Sequence, residues 1–440
     1  MPRLASRHQP RDDRIPVDAE LAEQAATRGA ELARQRRPVH EAGDGGSDLG
    51  PFGRDDKTVL AVTHEFERPA RIRMGVIGVI VHHAHGNLIT WPSRAFDSVF
   101  RYLDSWPGVD LFFAISGFVI ARSLLPRLAA CDSDKAYLRT TLAFWLRRAW
   151  RLLPSAWLWL AIMLVASAIF NRSGVFGAFH DNFAATIAGL LDVANFRDAD
   201  VFMRAEYGAS FVYWSLSLEE QFYLLLPIAA FLFGGWLPIV AALLAIVQFF
   251  HFRTPLLMVV RTDAILFGVL IAMWSRQPSY RLVEPVGLAR SRLARASTVI
   301  LLLGGIAAFA CDELHIVSFR VGMIALLCAA LVLIASYDRD YLWHDGFGKR
   351  LMLWVGSRSY GLYLIHIPAF FATREIWFRL HAQGTVPGPK DIWPICITAL
   401  IIMIAACELN YRFVEAPLRA HGARLADRFG EARPRETVAA

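Results

Sequence analysis

Long apolar runs separated by short polar stretches fill the chain from about residue 74 to residue 412. A membrane-crossing helix needs about 20 predominantly apolar residues. On that basis the pattern predicts about ten transmembrane helices, near 74–90, 108–127, 154–170, 221–235, 237–252, 262–275, 298–311, 320–336, 353–373 and 392–412. The expected fold is therefore all-α, a polytopic integral membrane protein. A weaker apolar stretch at 183–196, with Asp192 inside it, reads as a half-helix or re-entrant piece. Residues 1–70 are polar and rich in Arg, Ala and Asp, and read as a disordered tail. They contain no apolar core, so no secretory signal peptide is expected there. Residues 71–419 form the transmembrane domain and 420–440 a short tail.

Composition sharpens this reading. Of the 440 residues, 55% are hydrophobic, with 30 Phe and 13 Trp, which suits lipid-facing surfaces and aromatic belts. The net charge of +7 need not signal nucleic acid, because the basic residues fall into particular loops. With the N-terminus inside, Lys135, Arg139, Arg147, Arg148 and Arg151 lie in a cytoplasmic loop at 128–153. Arg276, Arg281, Arg290, Arg292 and Arg295 lie in another, at 276–297. That distribution obeys the positive-inside rule and puts both termini in the cytoplasm. Cys131, Cys311, Cys328, Cys396 and Cys407 show neither a paired motif nor metal-ligand spacing, so no disulfide and no metal site is expected.

Polar residues inside apolar runs are the candidates for chemistry, because ionisable groups are costly in hydrocarbon. The first run carries His82, His83 and His85. His82 and His85 share a helical face, and His83 points elsewhere. A neutral imidazole at depth can act as a base, or can simply be satisfied by neighbouring backbone. Arg71 lies about 16 Å before His82 along a helix. Asp110 opens the second run, and Ser116 with Gly117 suits close helix packing as well as chemistry. Arg148 and Arg151 stand three residues apart, a spacing that suits a phosphate or anionic lipid. Trp214, Glu219, Glu220 and Tyr223 open another run. One of the acids can serve as general acid or base, or both can favour a helix N-terminus. Arg261, Tyr360 and His366 complete the set, each of them open to a packing or capping role.

Taken in order, these blocks resemble the membrane-bound acyltransferase 3 family. Arg71-x10-His82 is similar to its first-span signature, and Gly108 to Ser123 to its second-span block. Arg148-Ala149-Trp150-Arg151 resembles its Arg-x-x-Arg motif, and Trp214-Ser215-Leu216 with Glu219, Phe222 and Tyr223 its Trp-Ser-Leu-x-x-Glu-x-x-Phe-Tyr block. Ser359 to His366 and Glu415 to Arg419 match its late motifs. Met74 departs from it, standing where a small residue is usual.

The resemblance implies an O-acyltransferase of the cytoplasmic (inner) membrane. It would move an acyl group, acetyl by default, from acyl-CoA as co-substrate to a saccharide or lipid-linked glycan hydroxyl, with no bound cofactor and no nucleic-acid partner. His82 and Glu219 would be catalytic, with His83 an alternative base. Arg71, Arg148 and Arg151 would bind the donor. Asp110, Ser116, Trp214, Tyr223, Arg261, Tyr360 and His366 would bind acceptor or relay protons. A transporter using intramembrane His and Glu as a proton relay is the competing class, and a lipid or receptor scaffold a third.

Overall fold

In the computed structural model, the structure describes residues 75–429 apart from 93, 315, 338–340, 342–345 and 382–384. Arg71 and the 1–70 segment lie outside the described residues. Those described form helices and no strands. The elements used below are α1 (Gly75–Asn87), α2 (Arg94–Tyr102), α3 (Gly108–Ala129), α4 (Asp134–Ile169), α5 (Phe179–Leu190), α6 (Ala194–Val201), α7 (Tyr213–Phe233) and α8 (Leu237–Phe250). They continue as α9 (Asp263–Trp274), α10 (Arg292–Ala310), α11 (Arg320–Ser336), α12 (Phe347–Ser357), α13 (Ser359–Leu380), α14 (Ile392–Asn410) and α15 (Ala416–Asp427).

Among the described residues, six helical stretches are long and apolar enough to cross a membrane: Gly108–Ala129, Asp134–Ile169, Tyr213–Phe250, Pro255–Trp274, Arg292–Ala310 and Pro389–Asp427. They contain seven of the ten expected spans, because 221–235 and 237–252 join through a single turn of 3-10 helix at Gly234–Trp236. The other three are helical but miss those criteria. α1 has 13 described residues and α11 has 17. The expected 353–373 span is divided between α12 and α13 at Arg358. Ser357 and Ser359 there turn their hydroxyls onto the carbonyls of Trp354 and Gly356, competing with the helix ladder. The expected loop 128–153 is also largely helix: α4 runs unbroken through Pro154, beginning at Ser133, whose hydroxyl caps the Ala136 amide. Instead of one half-helix at 183–196 there are two short helices, α5 and α6, joined through Asp192 in the left-handed region at φ 55°.

α3 is the central helix, packed by α1, α7, α9 and α11. Glycine makes its contact with α9 possible. A Cβ at Gly117 would lie 2.1 Å from the Ile265 carbonyl oxygen, and one at Gly268 would lie 2.2 Å from that of Ala114. Small residues let the two backbones meet, as in helix pairs packed within lipid. α1 crosses α3 where Gly75 and Gly108 touch in the same way. At the periphery α10 leaves Ile300 and Leu301 about 70% exposed (68% and 73%), an outward apolar surface suited to hydrocarbon. The chain after 419 continues as α15, seated on α4 where Gly422 meets Trp150.

Candidate active site

The histidines of α1 stand where that helix ends. His85 (ψ 124°) and Gly86 (φ 84°) leave helical geometry, and the Asn87 amide turns back to donate to the His83 carbonyl at 3.0 Å. His82 and His85 both face α2 and the loop after it, as expected from their shared helical face. His83 faces α13.

His82 Nδ1 lies 2.6 Å from Asp104 Oδ1, in the loop between α2 and α3. A carboxylate only accepts, so Nδ1 carries a proton, and in the neutral ring Nε2 keeps its lone pair. Partial burial opposes ionisation of Asp104. His82 and the amides of Ser105 and Trp106 outweigh it and hold that carboxyl below its ordinary range.

A second chain of bonds fixes His83. His366 Nδ1 is 2.6 Å from the Tyr363 carbonyl oxygen and must donate to it. In the neutral ring His366 Nε2 is then an acceptor, and it lies 2.8 Å from His83 Nδ1. His83 Nδ1 is then the donor, and its Nε2 also keeps a lone pair. The His82 and His83 rings sit 5.1 Å apart, and Phe211 closes the far side of His83 edge-on at 5.3 Å.

A polar line continues inward from this cluster. The Tyr363 hydroxyl pairs with Ser215 Oγ at 2.6 Å and donates to the Val212 carbonyl at 3.0 Å. About one helical turn further along α7 is Glu219. Its buried carboxylate accepts from the Ser116 and Tyr223 hydroxyls. The Arg148 guanidinium sits 5.3 Å from the centre of the Tyr223 ring and 5.7 Å from that of Phe144. Arg148 and Arg151 are both near enough to act on Glu219 electrostatically. Arg151 Nε is buried with no hydrogen-bond partner among the described residues.

Three other candidates form a separate group around a buried ion pair. Arg261 grips Asp110 with two bonds of 2.9 and 3.1 Å and donates a third to the Met258 carbonyl at 2.7 Å. Trp214, Trp106 and Phe113 ring its guanidinium at 4.9, 5.8 and 6.0 Å. The Tyr360 hydroxyl donates to the Leu152 carbonyl at 2.7 Å, tying α13 to α4.

Apart from Tyr360 and the undescribed Arg71, the sequence candidates thus gather into a histidine cluster, a Glu219–Ser116–Tyr223–arginine cluster and an Asp110–Arg261 ion pair beside Trp214. Sequence reasoning passed over Asp104 and gave Ser215 and Tyr363 no role beyond their motif positions, yet these three complete the bonding. Asp97 and Asp104 are the acids of the stretch joining the first two apolar runs, and asking what an intramembrane histidine pairs with would have raised both.

Comparison with known proteins identifies relatives of the chain as a whole. A family model described as an acyltransferase domain, of the acyltransferase 3 type, matches residues 74–408. The chain is 26% identical over 379 residues to a peptidoglycan O-acetyltransferase of Listeria monocytogenes, covering 79% of this chain and 55% of that protein. It is 28% identical over 380 residues to a Bacillus subtilis protein provisionally named a peptidoglycan O-acetyltransferase, covering 79% and 54%. The chain spans about half the length of the curated relatives it matches. No solved structure matches it.

Proposed function

The chain belongs to the membrane-bound acyltransferase 3 family, and from that membership we propose that it moves an acetyl group from acetyl-CoA to a hydroxyl of an envelope glycan. In this reading it crosses the cytoplasmic membrane about ten times with both termini inside, and its basic stretches face the donor.

Arg148 and Arg151 hold the phosphates of the donor. The buried, unpartnered Nε of Arg151 is the observation that carries this part, because an orphaned guanidinium N–H costs free energy until an acceptor arrives. Guanidinium forks suit phosphate oxygens. Arg71 supports the donor from the start of the first span. His82 is the general base, its Nε2 free to take the acceptor proton. As the acceptor oxygen bonds to the acetyl carbon, the carbon–sulfur bond breaks, and the proton held on His82 passes to the departing thiolate. Glu219, with Ser116 and Tyr223, orients the reacting groups along the polar line, and His366 fixes the tautomer of His83. Asp110, Arg261, Trp214 and Tyr360 hold the helices around the acceptor path. The names of the relatives favour peptidoglycan as the acceptor.

The test is transfer from radiolabelled acetyl-CoA in membranes expressing the chain, against His82→Ala at equal abundance. Label entering a glycan fraction only with His82 intact supports the reading. Absence of transfer by a correctly inserted wild-type chain overturns it.

A further inference from the structure

Two imidazoles lie side by side in the histidine cluster, and each presents an Nε2 lone pair. They differ in what stands behind them. His83 is backed by His366, a neutral imidazole that is itself committed to a backbone carbonyl. His82 is backed by a carboxylate at 2.6 Å. When a base accepts a proton its ring becomes a cation, and a carboxylate on the opposite nitrogen stabilises that cation. Neutral His366 supplies no counter-charge, so His83 gains no such help.

Asp104 is itself held in place. Its Oδ1 accepts the Trp106 amide at 3.2 Å. The neighbouring Ser105 hydroxyl donates to the Gly78 carbonyl of α1 at 2.8 Å. The Trp106 indole N–H reaches the Ala310 carbonyl at 3.4 Å, and its ring faces Arg261. The loop is thus tied to α1, to α10 and to the ion pair beneath it. A second pair, between α1 and α2, His85 Nε2 with Asp97 Oδ1, is longer at 3.3 Å and more open, with side chains 43% and 45% exposed against 33% and 30% for His82 and Asp104.

We propose that Asp104 is the positioning residue for His82: it fixes the tautomer that exposes Nε2 and stabilises the imidazolium formed during transfer. The proposal rests on the acyl-transfer reading above and also selects between the two adjacent histidines. An ordinary, partly exposed ion pair would contribute little to stability and nothing to the rate.

The experiment compares wild-type chain, Asp104→Asn, Asp104→Glu, Asp97→Asn and His82→Ala in membranes at equal abundance, measuring kcat and KM for acetyl-CoA and the pH–rate profile. The described ionisable groups facing His82 are Asp104 from the loop and His83 from its own helix. Asp104→Asn keeps an oxygen acceptor but removes the charge. Its kcat falls about 10²–10⁴-fold, KM for acetyl-CoA stays at the wild-type value, and the acid limb of the profile moves to lower pH. Asp104→Glu recovers part of kcat, and Asp97→Asn retains wild-type rates. A purely structural role would reduce the amount of active protein and leave the acid limb where it is, which overturns the proposal. Wild-type kcat in Asp104→Asn while His82→Ala is inactive also overturns it and leaves the acyltransferase reading standing. Full activity in His82→Ala removes the base assignment and this proposal with it.

Discussion

Replacing Asp110 by Asn tests what the deepest charged pair in the bundle contributes. Arg261 and Asp110 are 2% and 0% exposed, so neither charge regains water in the folded chain. The substitution keeps the shape and one oxygen acceptor but strands a guanidinium among Trp106, Phe113 and Trp214. Breaking one side of a buried pair costs about 3–5 kcal/mol. Asp263 is the next carboxylate that acts on Arg261, but Arg253 already holds it at 2.5 Å. Together with the three ring faces, its residual attraction places the expected cost near the lower end, about 3 kcal/mol or roughly a hundredfold in the folding equilibrium. The assay is thermal and denaturant unfolding of purified protein in detergent, read by loss of monodisperse material. Joint replacement, Asp110→Leu with Arg261→Met, removes both charges at similar volume and recovers most of the loss, because exchanging a whole buried pair for apolar side chains is often neutral. A single variant within about 0.5 kcal/mol of wild type, or a double variant as unstable as the two single losses added, would refute the reasoning.

Other outcomes follow from the same geometry. Gly268→Val drives a side chain into the Ala114 carbonyl, and the overpacking costs at least about 1–3 kcal/mol; the yield of folded protein after membrane extraction reads it. Arg148→Ala raises KM for acetyl-CoA about tenfold with a smaller change in kcat, and Arg148→Lys does not restore it, because an ammonium lacks the planar fork; initial rates against donor concentration separate the two parameters. His85→Ala leaves transfer unchanged and shifts stability by no more than about 1 kcal/mol, since its partner Asp97 is half exposed; one activity measurement beside His82→Ala decides it.

The class of fold was legible because lipid-facing surface must be apolar whatever the tertiary detail. Helix boundaries were less so. Pro154 reads as the start of a span, yet α4 passes through it, and Arg358 divides a run that reads as one helix. At Pro154 packing with distant segments outweighs a local signal; at Arg358 the flanking serine hydroxyls compete with the helix ladder. The same holds at the site. A histidine doublet inside an apolar run stands out as costly, but local spacing does not say what relieves the cost. The partner of His82 is 22 residues away and that of His83 is 283 residues away. Arg261 reads as a candidate for acceptor contact because it is a charge beside an apolar run. Its partner, 151 residues earlier, occupies its Nε and Nη2 and a backbone carbonyl its Nη1.

That commitment links the ion pair to the chemistry without contact between them. Arg261 faces the ring of Trp106, and the Trp106 amide is one of the groups that orient the Asp104 carboxylate. Trp106 therefore stands between a buried structural charge and the proposed orienting carboxylate of His82. Removing the pair in favour of Leu and Met takes away the cation beneath the indole while leaving the apolar volume. Stability then recovers, but the indole loses a cation–π contact worth about 0.5–2 kcal/mol, and the loop carrying Asp104 is held less firmly. The expected signature is a folded double variant with reduced kcat and unchanged KM for acetyl-CoA, since Arg148 and Arg151 belong to a different cluster. If Asp110 and Arg261 instead touched the acceptor, the same variant would raise KM for the acceptor, and the two parameters distinguish a support for the site from a part of it.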